Sequence, residues 1–171
     1  VVLESASGLG KSTIGRHVGQ LLNNSGQYCF WCPAELCFEI YELRGLLNGI
    51  LKSFESSLDV DAGDLALQIF KQTPFGLTLL VDDLNRTDSP GKGLEIIRSI
   101  SRQAAETGLR LRILLPAWPG LINSEEKDCA VVTLGEYDVQ ERHQLVDRQE
   151  NQQSIARMVD ALAGDPFLIG L

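Results

Sequence analysis

The chain has 171 residues, 44% of them hydrophobic, and a formal net charge of −8. That length suits one compact domain, and that apolar fraction supports a core, which excludes a disordered chain. The acidic balance argues against a nucleic-acid contact in this segment, and no apolar run approaches the roughly 20 residues a membrane helix needs.

Val1-Val2-Leu3 opens the chain, and residues 1–4 read as a strand entering a glycine-rich loop. Residues 11–24 follow as a helix, with Ile14, Val18, Leu21 and Leu22 at helical spacing. Ser25-Gly26 stops that helix, and residues 27–32 form a second strand ended by Pro33. Residues 36–54 read as one long helix, with Leu43, Leu46, Leu47, Ile50 and Leu51 on one side. A polar loop over 56–61 leads to a short helix over 62–71, and Pro74-Phe75-Gly76 makes a turn. Residues 77–83 are an apolar run closed by Asp82 and Asp83, which suits a buried parallel strand. A helix over 93–107 turns Leu94, Ile97, Ile100 and Ala104 inward and ends at Gly108. Residues 109–115 form a fourth strand stopped by Pro116, and 130–134 a fifth. Helices over 139–148 and 153–162 follow, the second broken by Gly164-Asp165-Pro166. This alternation predicts an α/β fold, a parallel sheet with helices on both faces. Ligands in such sheets bind beyond the carboxyl ends of the strands. Both chain ends lie in apolar runs, so a domain excised from a longer protein is expected.

Gly8-Leu9-Gly10-Lys11-Ser12-Thr13 sits at a strand–helix junction, where backbone N–H groups converge on phosphate oxygens. Lys11 is expected at the β and γ phosphates, Ser12 on Mg²⁺ and Thr13 at the α phosphate. Ser5 departs from the pattern G-x-x-x-x-G-K-[ST], which has glycine there. Serine serves if its φ stays below zero. Asp82 and Asp83 repel one another at a strand end, a cost that a cation relieves. Asp82 is expected to hold Mg²⁺ through water opposite Ser12, and Asp83 to orient the attacking water. No Asn-Lys-x-Asp base-reading motif occurs, which favours ATP over GTP.

Cys29-x-x-Cys32 lies on a strand, where residues three apart point to opposite faces, so Cys29, Cys32, Cys37 and Cys129 read as reduced cytosolic thiols. His17 and His143 read as solvated helix positions, as do Glu35, Glu39 and Glu42, and Arg110 and Arg112 as the exposed start of strand four.

Ser5-Ala6-Ser7-Gly8-Leu9-Gly10-Lys11-Ser12-Thr13 resembles the phosphate loop of STAND NTPases, the NACHT and NB-ARC group. Leu79-Leu80-Val81-Asp82-Asp83 is similar to their Walker B strand, and residues 113–120 occupy the sensor 1 position. Gly164-Asp165-Pro166-Phe167-Leu168 looks like their G-x-P motif. The resemblance implies a nucleotide-binding core over 1–134 and the start of a helical subdomain over 135–171. ATP or ADP would contact Ser7, Gly8, Leu9, Gly10, Lys11, Ser12 and Thr13, with Pro166 near adenine. Lys11 and Asp83 would be catalytic, and Ser12 and Asp82 would hold Mg²⁺. It implies a cytoplasmic switch of low turnover, in signalling or defence, gated by sensor and effector regions outside this segment and homo-oligomeric when activated. Trp118 stands where many members carry a γ-phosphate-sensing arginine, and Arg86 substitutes only if its loop folds inward. An AAA+-like remodelling ATPase and a nucleotide-binding scaffold without turnover remain alternatives.

Overall fold

The computed structural model describes residues 1–6, 10–57, 62–122 and 129–135. In chain order these form β1 (Val2–Glu4), α1 (Lys11–Asn24), β2 (Tyr28–Pro33), α2 (Ala34–Glu39), α3 (Leu43–Phe54), α4 (Ala62–Gln72) and β3 (Leu77–Asp82). A 3₁₀ turn (Leu84–Arg86), α5 (Pro90–Thr107), β4 (Leu111–Ala117) and β5 (Val131–Thr133) complete them. The five strands form one parallel sheet in the order β2-β3-β4-β1-β5. The expected helices over 139–148 and 153–162, and the subdomain beginning at 135, fall largely or wholly outside the described residues. No helix among the described residues is long and apolar enough to cross a membrane.

The alternation of side chains along each strand sorts the core into two layers. Leu79, Val81, Cys32 and Leu115 join the larger layer with α3, α4 and α5. Leu80, Leu3, Cys29 and Leu114 form the smaller layer, against which Val18 and Leu22 of α1 pack. All six residues of β3 are buried, as its unbroken apolar run requires. Cys29 and Cys32 are accordingly on opposite faces, and Cys32 instead meets Cys37 with the two sulfurs 3.7 Å apart. All four cysteines are free.

The structure corrects two of the expected elements and refines the packing of a third. The long helix over 36–54 is two helices, because Ile40 and Glu42 are extended. Gln103 of α5 holds the break: its Oε1 accepts from the Leu43 N–H and its Nε2 donates to the Tyr41 carbonyl. Pro116 does not stop β4 but lies within it, opposite Leu3 of β1. The pairing of β4 with β3 ends at Leu80 and Leu114, so the missing N–H of Pro116 costs no ladder bond. On α1, Ile14 and Leu21 are exposed, and the buried positions are Lys11, Gly15 and Gly19. A Cβ on Gly15 would come within 2.9 Å of Leu80, so the absent side chain lets the helix lie close on β3.

Candidate functional site

β4 lies between β1 and β3, so the loops leaving β1 and β3 emerge two strands apart at the same edge of the sheet. Ser5 prolongs β1 by donating its N–H to the Ala117 carbonyl at 3.3 Å. Asp83 is the only non-glycine with positive φ among the described residues, so Ser5 keeps the negative φ that a serine tolerates. Gly10 adopts a left-handed φ of 73° and accepts the first helical bond of α1 from the Ile14 N–H at 2.9 Å. Ser7, Gly8 and Leu9 lie outside the described residues, as does Pro166.

Lys11 is the first residue of α1 and is only 8% exposed. Its Nζ donates to the carbonyls of Ser5 at 2.8 Å and Ala6 at 2.6 Å, and lies 3.4 Å from Ser5 Oγ. The ammonium therefore sits at the mouth of the glycine loop, held by neutral acceptors. Burial pushes its pKa below the ordinary 10.5 of a lysine. Thr13, on the first turn of α1, is exposed.

Asp82 ends β3 and is 1% exposed. Its Oδ1 accepts from Ser12 Oγ at 2.7 Å and from the Asp83 N–H at 3.0 Å. Ser12 and Asp82 are 70 positions apart in the chain, so only the sheet brings them together. On the other side, Oδ2 accepts from Trp31 Nε1 at 3.4 Å and lies 3.7 Å from a guanidinium nitrogen of Arg16. Arg16 in turn lies over the Trp31 ring, 5.5 Å from its centroid.

Asp83 departs in another direction. Its φ of 63° turns the chain into the 3₁₀ turn, and its Oδ1 pairs with Arg86 Nε at 3.2 Å. Asp83 is itself the left-handed residue, and the two adjacent acids have different partners, Arg16 for Asp82 and Arg86 for Asp83. Arg86 does not fold inward as a phosphate sensor in this conformation, since its side chain is 78% exposed and bound to Asp83. Trp118 follows β4 and is half-exposed. Its N–H donates to Asn85 Oδ1 at 3.0 Å, which ties the end of β4 to the turn after Asp83.

Ser12 Oγ and Asp82 Oδ1 are hard oxygen donors already in contact, a set suited to Mg²⁺. Among the described residues no group of three or more His, Cys, Asp or Glu could hold a metal by itself. A cation here would need oxygens from phosphate and water, which is how Mg²⁺ is ordinarily held.

By sequence, no family model and no curated protein matches the chain. By structure it is similar to AMPPCP-bound DnaA from Aquifex aeolicus, with a TM-score of 0.56 at 11% identity, over 98% of this chain and 51% of that one. It is also similar to the FIGL-1 AAA domain in complex with ADP, with a TM-score of 0.51 at 13% identity, over 93% of this chain and 53% of that one. The fold is that of the P-loop ATPases. The chain spans about half the length of these solved structures.

Reading the sequence missed two residues of the cluster around Asp82, Arg16 and Trp31. The signal for Trp31 was the strand alternation that separated Cys29 from Cys32, because it puts Trp31 on the Cys29 face, toward α1. Arg16 follows Ser12 by four positions, so both project from one face of α1. The remaining solvated assignments agree with the structure where it describes them: His17, Glu35, Glu39, Glu42, Arg110 and Arg112 are exposed, and His143 lies outside the described residues.

Proposed function

We propose that this chain is an ATP-binding, Mg²⁺-dependent switch domain with slow hydrolysis, part of a larger STAND-type signalling or defence protein. The observation that carries the reading is the 2.7 Å bond between Ser12 Oγ and Asp82 Oδ1, beside a buried Lys11 ammonium at the mouth of a glycine loop. These groups have the chemistry of a triphosphate site. Lys11 exchanges the Ser5 and Ala6 carbonyls for β- and γ-phosphate oxygens, a charged partner in place of neutral ones. Ser12, and Asp82 through water, would hold Mg²⁺, which would supply positive charge to the phosphates. Asp83 accepts a hydrogen bond from the attacking water once its bond to Arg86 opens. Gly10 keeps the backbone turn that aims the first N–H groups of α1 at the anion. The nucleotide-bound state of both structural neighbours supports nucleotide as the ligand.

Titration of labelled ATP against the wild type and Lys11→Ala tests the reading. A loss of affinity of at least tenfold in the variant is expected, and equal affinity refutes it.

A second reading, an AAA+-like remodelling ATPase, draws support from the same neighbours, one of which is named as an AAA domain. It predicts faster turnover that rises with protein concentration, as an arginine from a neighbouring copy completes the site. The switch reading predicts slow turnover independent of concentration until the protein is activated to oligomerise.

A further inference from the structure

We propose that Arg16 is a resident counter-cation of Asp82 that competes with the divalent cation, and that Trp31 is the platform on which it moves. The inference rests on the nucleotide-site reading and adds a regulation to it. Asp82 is almost wholly buried, and an ionised carboxylate in that position needs a cation or several donors. Its Oδ1 faces Ser12 and the Asp83 N–H, the side on which Mg²⁺ would be held. Its Oδ2 faces Trp31 Nε1 and Arg16, so the guanidinium already supplies positive charge to the same group.

Arginine does not lose its proton in proteins, so Arg16 cannot yield by titration. Two cations on one carboxylate repel, and the arginine must withdraw as the metal enters. Its side chain is 60% exposed and has room to do so. The Trp31 ring, 5.5 Å from the guanidinium carbon, keeps an attractive surface beneath it along the way. The Trp31 N–H stays on Oδ2 and preserves the carboxylate orientation when the arginine leaves. Arg16 thus raises the Mg²⁺ concentration at which the nucleotide becomes tightly held.

The test is a Mg²⁺ titration of labelled-ATP binding by the wild type, Arg16→Met and Arg16→Lys. Methionine keeps an aliphatic stem and removes the charge. A fall in the Mg²⁺ midpoint of roughly two- to fivefold is expected for Arg16→Met, the range of a partly exposed ion pair. Arg16→Lys should restore most of the wild-type midpoint. An Arg16→Met midpoint that is unchanged or higher overturns the inference. Fluorescence gives an independent readout, since Trp31 and Trp118 are the two tryptophans. In a Trp118→Phe background, Trp31 emission should change when Mg²⁺ is added with ATP, and Arg16→Met should abolish the change. A change of equal size in Arg16→Met overturns the platform role. ATP binding with no Mg²⁺ dependence in the wild type overturns the metal part of the nucleotide-site reading and this inference with it. Normal dependence with an unmoved midpoint overturns only this inference.

Discussion

Lys11 carries its charge into a position where water barely reaches, and its own loop supplies only neutral acceptors. With its folded pKa below 10.5, the folded protein binds fewer protons than the unfolded chain as pH approaches that value. The penalty is therefore present in full below the folded pKa and is relieved as pH rises through it toward 10.5. Urea denaturation at pH 7 and pH 10 should show the wild type gaining stability relative to Lys11→Met at the higher pH. A gain of the opposite sign would show that the loop carbonyls more than offset the burial. Asp83 poses a different problem, since its backbone is left-handed, a region that asparagine tolerates and alanine resists. Asp83→Asn and Asp83→Ala should both lower ATP turnover by roughly 100-fold if Asp83 acts on water. Only the alanine variant should also lose stability, by about 1 kcal/mol. Turnover unchanged in Asp83→Asn removes the catalytic role. Both residues were legible in the sequence, because a Gly-Lys-Ser-Thr run and an acid pair at strand ends carry their chemistry locally. The separate arginine on each acid was not legible, because it depends on the turn at Asp83 and on the approach of α1 to β3.

At the scale of elements, periodicity placed β3 and α5 closely, since a wholly buried strand and a helix with one inward stripe write burial into composition. It misplaced the breaks. The helix over 36–54 has no glycine or proline at its true interruption, and Gln103, 60 positions from Leu43, supplies the competing hydrogen bonds. The apolar spacing on α1 is only half used for a related reason: glycines set the helix close to the sheet, so Val18 and Leu22 pack on it while Ile14 and Leu21 stay outside. Gly93 does similar work on α5, where an added Cβ would collide with Leu84 and approach Phe38 at 2.9 Å, so α5 lies tight on the turn that follows Asp83. Within β3, Thr78 Oγ1 is buried without a hydrogen-bond partner. Thr78→Val removes that unsatisfied hydroxyl at nearly constant volume. Chemical denaturation should show a gain of about 1 kcal/mol, and a loss would reveal a partner for the hydroxyl.

For the whole molecule, a ligand that binds only the folded state stabilises it by mass action. ATP with Mg²⁺ at 100 times its dissociation constant contributes about 2.7 kcal/mol. For a chain of this length that raises the melting temperature by about 5–10 °C. Calorimetry of the wild type should show the shift, and Lys11→Ala at the same ligand concentration should show at most about half of it. The amino-acid sequence by itself determined the α/β class and pointed to a phosphate-type loop and the acids expected to face it, because each is written in a short run of residues or in a local period. Tertiary structure alone decided the strand order, which puts β4 between β1 and β3 and fixes how far apart their loops emerge. It also decided that Ser12 meets Asp82, and that Arg16 and Trp31 close the other side of that carboxylate. Those contacts join residues tens of positions apart. Their geometry follows from packing α1 on the sheet, and no local pattern of residues encodes that packing.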